Sequence, residues 1–269
     1  MKDKQLNRYS QIIEHIFAAR YKRGQDVVEF DRDDVRAACK QLKIDLVKNI
    51  GDLIYSFRYR ATLPESIRLK ATEGKAWIIQ PAGRAKYRFV LRTLTYVIPT
   101  KGMAETKIPD ATPGLVAMYA LDDEQGLLAR VRYNRLVDLF SGVVCYSVQN
   151  HLRTTIANIG QVETDELYVG VDRKGSQYVF PVQAKGGTDK LSIVQIEQDL
   201  ALCAAKFPRL ICRPIAAQFV QGNLIALFEF EDSKEGVVIA RERHYRLVPR
   251  DQLTESELAA YQKRPDDWN

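Results

Sequence analysis

The chain has 269 residues, 46% hydrophobic and 28% charged, a balance with ample apolar material for a core that excludes disordered and fibrous classes. The length exceeds the ~150 residues typical of one domain and is short for three, so two domains are expected. No apolar run reaches the ~18 residues of a membrane span and MKDKQLNRYS is too polar for a signal peptide, so a cytoplasmic protein without membrane contact is expected. Cys39, Cys145, Cys203 and Cys212 form no CxxC pair and only three histidines accompany them, which argues against zinc and disulfides and predicts reduced, buried thiols.

Residues 5–20 place Ile12, Ile13, Ile16 and Phe17 at helical spacing, and Val27–Phe30 is a short extended run. Asp31-x-x-Asp34 predicts a capped helix through about Leu42. The next segment turns near Ile44-Asp45 and sets Leu46, Ile50, Leu53, Ile54 and Phe57 on one face of a second helix. Trp77–Gln80 and Tyr87–Leu91 flank Pro81-Ala82-Gly83-Arg84, a β-hairpin with a basic tip. Helix, short strand, helix, turn, helix and hairpin is an order that resembles a winged helix-turn-helix.

The charge agrees with that resemblance. Residues 1–110 carry 22 Lys+Arg against 13 Asp+Glu, whereas the remainder carries 18 against 21, so the basic character belongs to the first domain. Residues 46–92 concentrate it, with 10 basic to 3 acidic, which suits a polyanionic partner. Lys48, Arg58 and Arg60 fall on the second helix of the turn; Lys75, Arg84, Lys86, Arg88 and Arg92 fall on the hairpin. A winged helix sends that helix into the major groove and lays the wing along the backbone, so the resemblance implies Lys48, Arg58, Arg60, Arg84, Lys86 and Arg88 as DNA-binding residues.

Residues 97–114 hold three prolines and two glycines without periodicity, so the reading is a DNA-binding domain over 1–96, a linker over 97–114 and a second domain over 115–269. Thr112-Pro113 reads as an N-cap with a helix-initiating proline, and helical patterning continues to roughly residue 155. Val162–Val171 and Tyr178–Lys185 are β-rich runs joined by Asp172-Arg173-Lys174-Gly175, hence adjacent antiparallel strands. Alternation puts Glu163 and Asp165 on one face of the first strand, and Gln183 and Lys185 on one face of the second. Gly186-Gly187 then allows close backbone approach to a ligand.

A carboxylate on one strand, followed on the next by an acidic or amide residue two positions before a lysine, resembles the PD-(D/E)XK nuclease superfamily. Glu163-Thr164-Asp165-Glu166-Leu167 is similar to its first motif, and Gln183-Ala184-Lys185 to the Gln-x-Lys variant of Mrr-type restriction enzymes. The chain departs from the pattern in having no proline before the first acid and Gln in place of the second carboxylate. The resemblance implies an α/β (α+β) restriction-endonuclease-like mixed sheet flanked by helices, with residues from about 123 to 220 covering its core. These include helix 191–206 and strand Leu210–Val220.

It further implies a Mg²⁺-dependent DNA endonuclease of restriction type, with Mn²⁺ able to substitute, acting on double-stranded DNA as a homodimer. Asp165 is then the direct metal ligand, Gln183 adds its carbonyl oxygen, and Lys185 orients the attacking water and offsets charge in the transition state. Glu163 or Glu166 replaces the missing carboxylate, with alternation favouring Glu163. Gln195 and Gln198 lie on the following helix as candidate supports of the site, and His151 is a structural residue or a contact to the DNA backbone. No P-loop or GxGxxG occurs, so a nucleotide cofactor is not expected. A non-catalytic DNA-binding regulator with a degenerate nuclease fold, and a structure-specific repair nuclease, remain alternative readings.

Overall fold

The computed structural model describes residues 7–264 apart from 48, 94–95, 122, 158, 187–190 and 235, and its architecture is mixed α+β. The chain divides into two units, one made of Met1–Val97, Thr154–Val162 and Ser192–Val194, the other of Ile98–Arg153, Glu163–Leu191 and Gln195–Asn269.

In the first unit the Asn7 side chain caps α1 (Arg8–Arg20) by accepting from the Ser10 N–H at 2.9 Å, and the spacing of Ile12, Ile13, Ile16 and Phe17 buries all four. Strand β1 (Val27–Asp31) alternates so that Val28 and Phe30 face inward. Asp31 then forms the expected capping box with Asp34 at the start of α2 (Arg32–Gln41). Helix α3 (Ile50–Tyr55), extended by a π-helical turn over Ser56–Arg60, and the short α4 (Glu65–Arg68) lead to β2 (Ala76–Pro81), β3 (Lys86–Arg92) and β4 (Tyr96–Val97). β3 lies between β1 and β2, antiparallel to both.

Leu53, Ile54, Phe57, Trp77, Ile79 and Phe89 join the α1 residues in one core, with Phe17 edge-on to Trp77 and Phe89 at 5.1 and 5.0 Å. Burying each such side chain contributes about 1.5–3 kcal/mol. The α3 segment starts later than expected. The Asn49 side chain accepts from the Gly51 N–H and fixes the helix start there, so Leu46 stands 52% exposed before the helix, off its buried face.

The second unit, apart from residues 154–162 and 192–194 of the elements named, runs β5 (Glu105–Pro109), α5 (Gly114–Tyr119), α6 (Glu124–Tyr133), α7 (Leu136–Ser141), β6 (Val144–Ile156), β7 (Gly160–Val171), β8 (Gln177–Lys185), β9 (Leu191–Ser192) and α8 (Ile193–Lys206). β10 (Ile211–Cys212), β11 (Ile215–Gln221), β12 (Leu224–Ser233), β13 (Gly236–Val248) and α9 (Glu255–Gln262) complete it. Its sheet has the order β5-β13-β12-β11-β8-β7-β6, with β10 beside β8. β8 and β11 are parallel, and the crossover between them is α8. Residues 179–184 of β8 are all buried, as a central strand requires. Pro181, which has no N–H for a ladder, falls where β10 ends opposite Val179 and β11 begins opposite Val182.

Three expectations change here. Residues 144–156 are a strand, not a continued helix: Gly142 at φ 69° ends α7, and the β-branched and aromatic run Val143, Val144, Tyr146 and Val148 favours extended backbone. Residues 97–114 contain β5, which pairs parallel with β13, so that stretch is in part sheet and not only linker. Thr112 does not cap α5; its Oγ1 accepts from Asn134 Nδ2 at 2.9 Å. The cysteines are all free, three buried and Cys212 partly so. Among the described residues no helix is long and apolar enough to cross a membrane.

Candidate active site

The site is built at the open end of the β7–β8 hairpin. The turn is closed by Gly175 at φ 85°, and the register runs from Val171 opposite Gln177 to Glu166 opposite Val182. Past Glu166, side chains stitch the strands. The Ala184 N–H donates to Asp165 Oδ2 at 2.8 Å, and Gln183 Nε2 donates to the Glu163 carbonyl at 3.0 Å. Asp165 is thereby tied to the strand that carries Lys185.

Lys185 is held from a third element. Its ammonium donates to Glu124, the first residue of α6, and its side chain is only 13% exposed. The neighbouring residue explains the approach. A Cβ on Gly186 would stand 2.9 Å from the Asp123 backbone, so only glycine lets β8 end against the start of α6. Gly186 therefore makes room for the chain's own helix, not for a ligand as the sequence suggested; Gly187 lies outside the described residues. Burial pushes the Asp165 carboxyl up, the Ala184 N–H and Lys185 oppose the shift, and the charges of Glu124 and Glu163 add to it. Asp165, Lys185, Glu124 and Glu163 thus share one electrostatic environment.

The other expected site residues are placed differently. Glu163 is engaged by Arg153 Nη2 at 2.8 Å and His151 Nε2 at 3.0 Å, which makes His151 a partner of this carboxylate. Glu166 is fully buried in a separate ion pair with Arg132 at 2.9 Å and accepts from Ser147. It does not complete the site. Gln183 is engaged within the fold: its Nε2 donates to both oxygens of Asp199 at 3.0 and 3.1 Å, and its Oε1 accepts from Gln195 at 3.1 Å. Gln195 thus contacts Gln183 from α8; Gln198 is buried on the same helix.

Two residues that sequence reasoning passed over belong here. Glu124 supplies the anion that positions Lys185, and its only local signal is the acidic pair Asp123-Glu124 before an apolar helix. Asp199 is fully buried on α8; burial raises its carboxyl well above the usual range, the Gln183 amide opposes that, and the Asp165 charge adds to it. Its signal was legible, for Ile196, Asp199 and Cys203 follow at helical spacing, and an acid on such an apolar stripe needs a partner.

In the first unit, Arg84 and Lys86 are exposed around the hairpin tip and Lys75 is exposed just before β2. Arg88 is half-buried, facing Glu29 across one ladder and Gln80 across the other. Ile78, Gln80 and Val90, on the sheet face away from the core, are themselves buried, so this face does not offer an open row of cations. Arg58 is half-buried in the π turn; Lys48 and the Arg60 side chain lie outside the described residues.

Among the described residues no three His, Cys, Asp or Glu side chains are grouped so as to hold a metal ion. Magnesium needs fewer, since it is commonly bound through one or two carboxylates and otherwise keeps its waters. Asp165 and Glu124 are the two carboxylates here that could serve a cation so bound; the Glu124 charge raises the Asp165 carboxyl, while Glu124 itself pairs with Lys185. No protein-family model, curated protein or solved structure matches the chain.

Proposed function

We propose that the protein is a Mg²⁺-dependent endonuclease of PD-(D/E)XK type acting on double-stranded DNA, with the first unit serving as a winged-helix-like DNA-binding module. The observation that carries this reading is the convergence of Asp165 and Lys185 at the open end of the β7–β8 hairpin with Glu124 beside them. Bound there, the ion supplies polarisation of the phosphodiester and activation of water. Asp165 presents one carboxylate oxygen while the Ala184 N–H holds the other. Lys185 keeps a positive charge beside the reacting phosphate and orients the water. Glu124 holds the Lys185 ammonium in place, and Arg153, paired with Glu163, adds a cation beside the site.

The experiment is incubation of supercoiled plasmid with the full chain and Mg²⁺. Linear or nicked product that is lost in Lys185→Ala and in Asp165→Ala supports the reading, because both residues act in the transition state more than in DNA binding. Cleavage that persists in both variants overturns it. The second reading, a DNA-binding protein without cleavage, is favoured by one observation: Gln183, in the position of the second ligand, is committed to Asp199 and Gln195. DNA binding by the wild-type chain with no cleavage in Mg²⁺ or Mn²⁺ selects it.

A further inference from the structure

β6 is the outermost strand of the large sheet. Val144–Asn150 carries none of the features that keep an exposed edge from pairing, having no Lys, Arg, Asp, Glu or Pro. Val144, Tyr146 and Val148 stand on one face at 50%, 61% and 59% exposure. Cys145 and Ser147 turn the other way, Cys145 into the apolar core and Ser147 toward Glu166.

The backbone directions follow from two neighbours. A Cβ on Gly170 of β7 would lie 3.0 Å from the Val144 carbonyl oxygen, so the Val144 peptide groups point inward toward β7. The Cys145 N–H is instead held by the Asp138 carboxylate at 2.9 Å. The odd-numbered residues therefore direct their N–H and C=O groups outward, and alternation assigns Ser147 and Gln149 to that edge.

We propose that this edge pairs with the same edge of a second copy of the chain, antiparallel about a two-fold axis at Val148. Ser147 and Gln149 flank Val148 symmetrically, so Ser147 of one copy meets Gln149 of the other, and each pair exchanges two backbone hydrogen bonds. The ladder ends where the chain ends it. On one side Asp138 already occupies the Cys145 amide, and on the other His151 at φ 52° bends the strand. Val148 lies against its symmetry mate, with Tyr146 diagonal to it, giving an apolar and aromatic cross-strand cluster. No charged residue opposes another over 144–150. The partner is a second copy because the outward groups are self-complementary about one residue, which is what an isologous interface requires. Nothing in this pairing depends on the nuclease reading.

The test is sedimentation of the full chain from submicromolar to high micromolar concentration, with Val148→Lys and Val148→Cys. The expected result is a monomer–dimer equilibrium in wild type that Val148→Lys weakens roughly tenfold or more, because two ammonium groups would meet at the axis. The Lys variant should keep the wild-type circular dichroism, since the position is exposed. Val148→Cys should form a cross-linked dimer with diamide as the oxidant, two thiols giving one disulfide as diamide is reduced to its hydrazine, while wild type does not. A chain that is monomeric throughout, a dimer indifferent to Val148→Lys, or a dimer that Val148→Cys fails to cross-link overturns the proposal.

Discussion

Asp199 offers the sharpest test of how the site is built. Replacing it with Ala removes the acceptor for Gln183 Nε2 in a place without solvent, leaving a buried donor whose desolvation costs about 1–3 kcal/mol. The carboxyl group also leaves a small void worth about 1 kcal/mol, so Asp199→Ala should cost about 2–4 kcal/mol. At roughly 2–4 °C per kcal/mol for a domain of this size, the melting temperature should fall by about 5–15 °C. Asp199→Asn should behave otherwise. A buried carboxyl that holds its proton offers one accepting oxygen and one donor, and a carboxamide of the same shape offers the same to Gln183 and Thr164. That variant should stay within about 1 kcal/mol of wild type.

The pH dependence has a definite sign. The folded state binds the Asp199 proton more tightly than the unfolded chain, so this stabilisation is complete below the ordinary value of 3.8 and is lost as pH rises through the higher folded value. Asp165 shifts in the same direction, so the difference between wild type and Asp199→Asn, followed by urea unfolding across pH, isolates Asp199. An Asn variant as damaged as the Ala variant would show that the buried carboxyl is ionised. An Ala variant as stable as wild type would show that the α8 network does not hold the strands.

Three further outcomes are expected. Gly126→Ala would place a Cβ 1.7 Å from the Leu121 carbonyl oxygen, displacing the start of α6, so thermal unfolding should show a loss of about 3 kcal/mol or more together with weakened cleavage. Glu124→Gln keeps a hydrogen-bond acceptor for Lys185 but removes an anionic ligand, so titration of cleavage against Mg²⁺ should show a raised metal requirement and residual activity at saturation. Alanine at both Arg84 and Lys86 should reduce the slope of log K against log salt for duplex binding by about 0.9 for each phosphate no longer neutralised, whereas Arg88→Ala, at a half-buried position, should leave that slope unchanged.

What could be read from the sequence was local. The capping box at Asp31 and the β2–β3 and β7–β8 hairpins depend on residues within a few positions of each other, and they form as their patterns require. The segment from Leu136 misled because its apolar spacing fits a helix as well as a strand. The deciding feature is the left-handed turn at Gly142, a backbone state that composition does not reveal. Leu46 misled for a related reason: helical spacing extends upstream of Asn49, but the cap at Asn49 ends the helix before the pattern does.

The candidate site divides along the same line. Asp165 and Lys185 come together because Asp165, midway along β7, lies on the strand beside the end of β8 in one hairpin, a relation fixed by turn length and alternation. Strict alternation also starts Gln183 and Lys185 from one face of β8, but the two side chains find different partners. The short amide of Gln183 has little reach and is captured by Asp199 and Gln195 on the crossover helix, while the long flexible stem of Lys185, at the last residue of the strand, reaches round to Glu124. Both captures are made by residues far along the chain, on helices whose placement follows from the parallel β8–β11 crossover and from the glycine at 186. A motif of one acid and one Gln-x-Lys thus specifies where the charged groups start, and the packing of α6 and α8 decides which of them face each other.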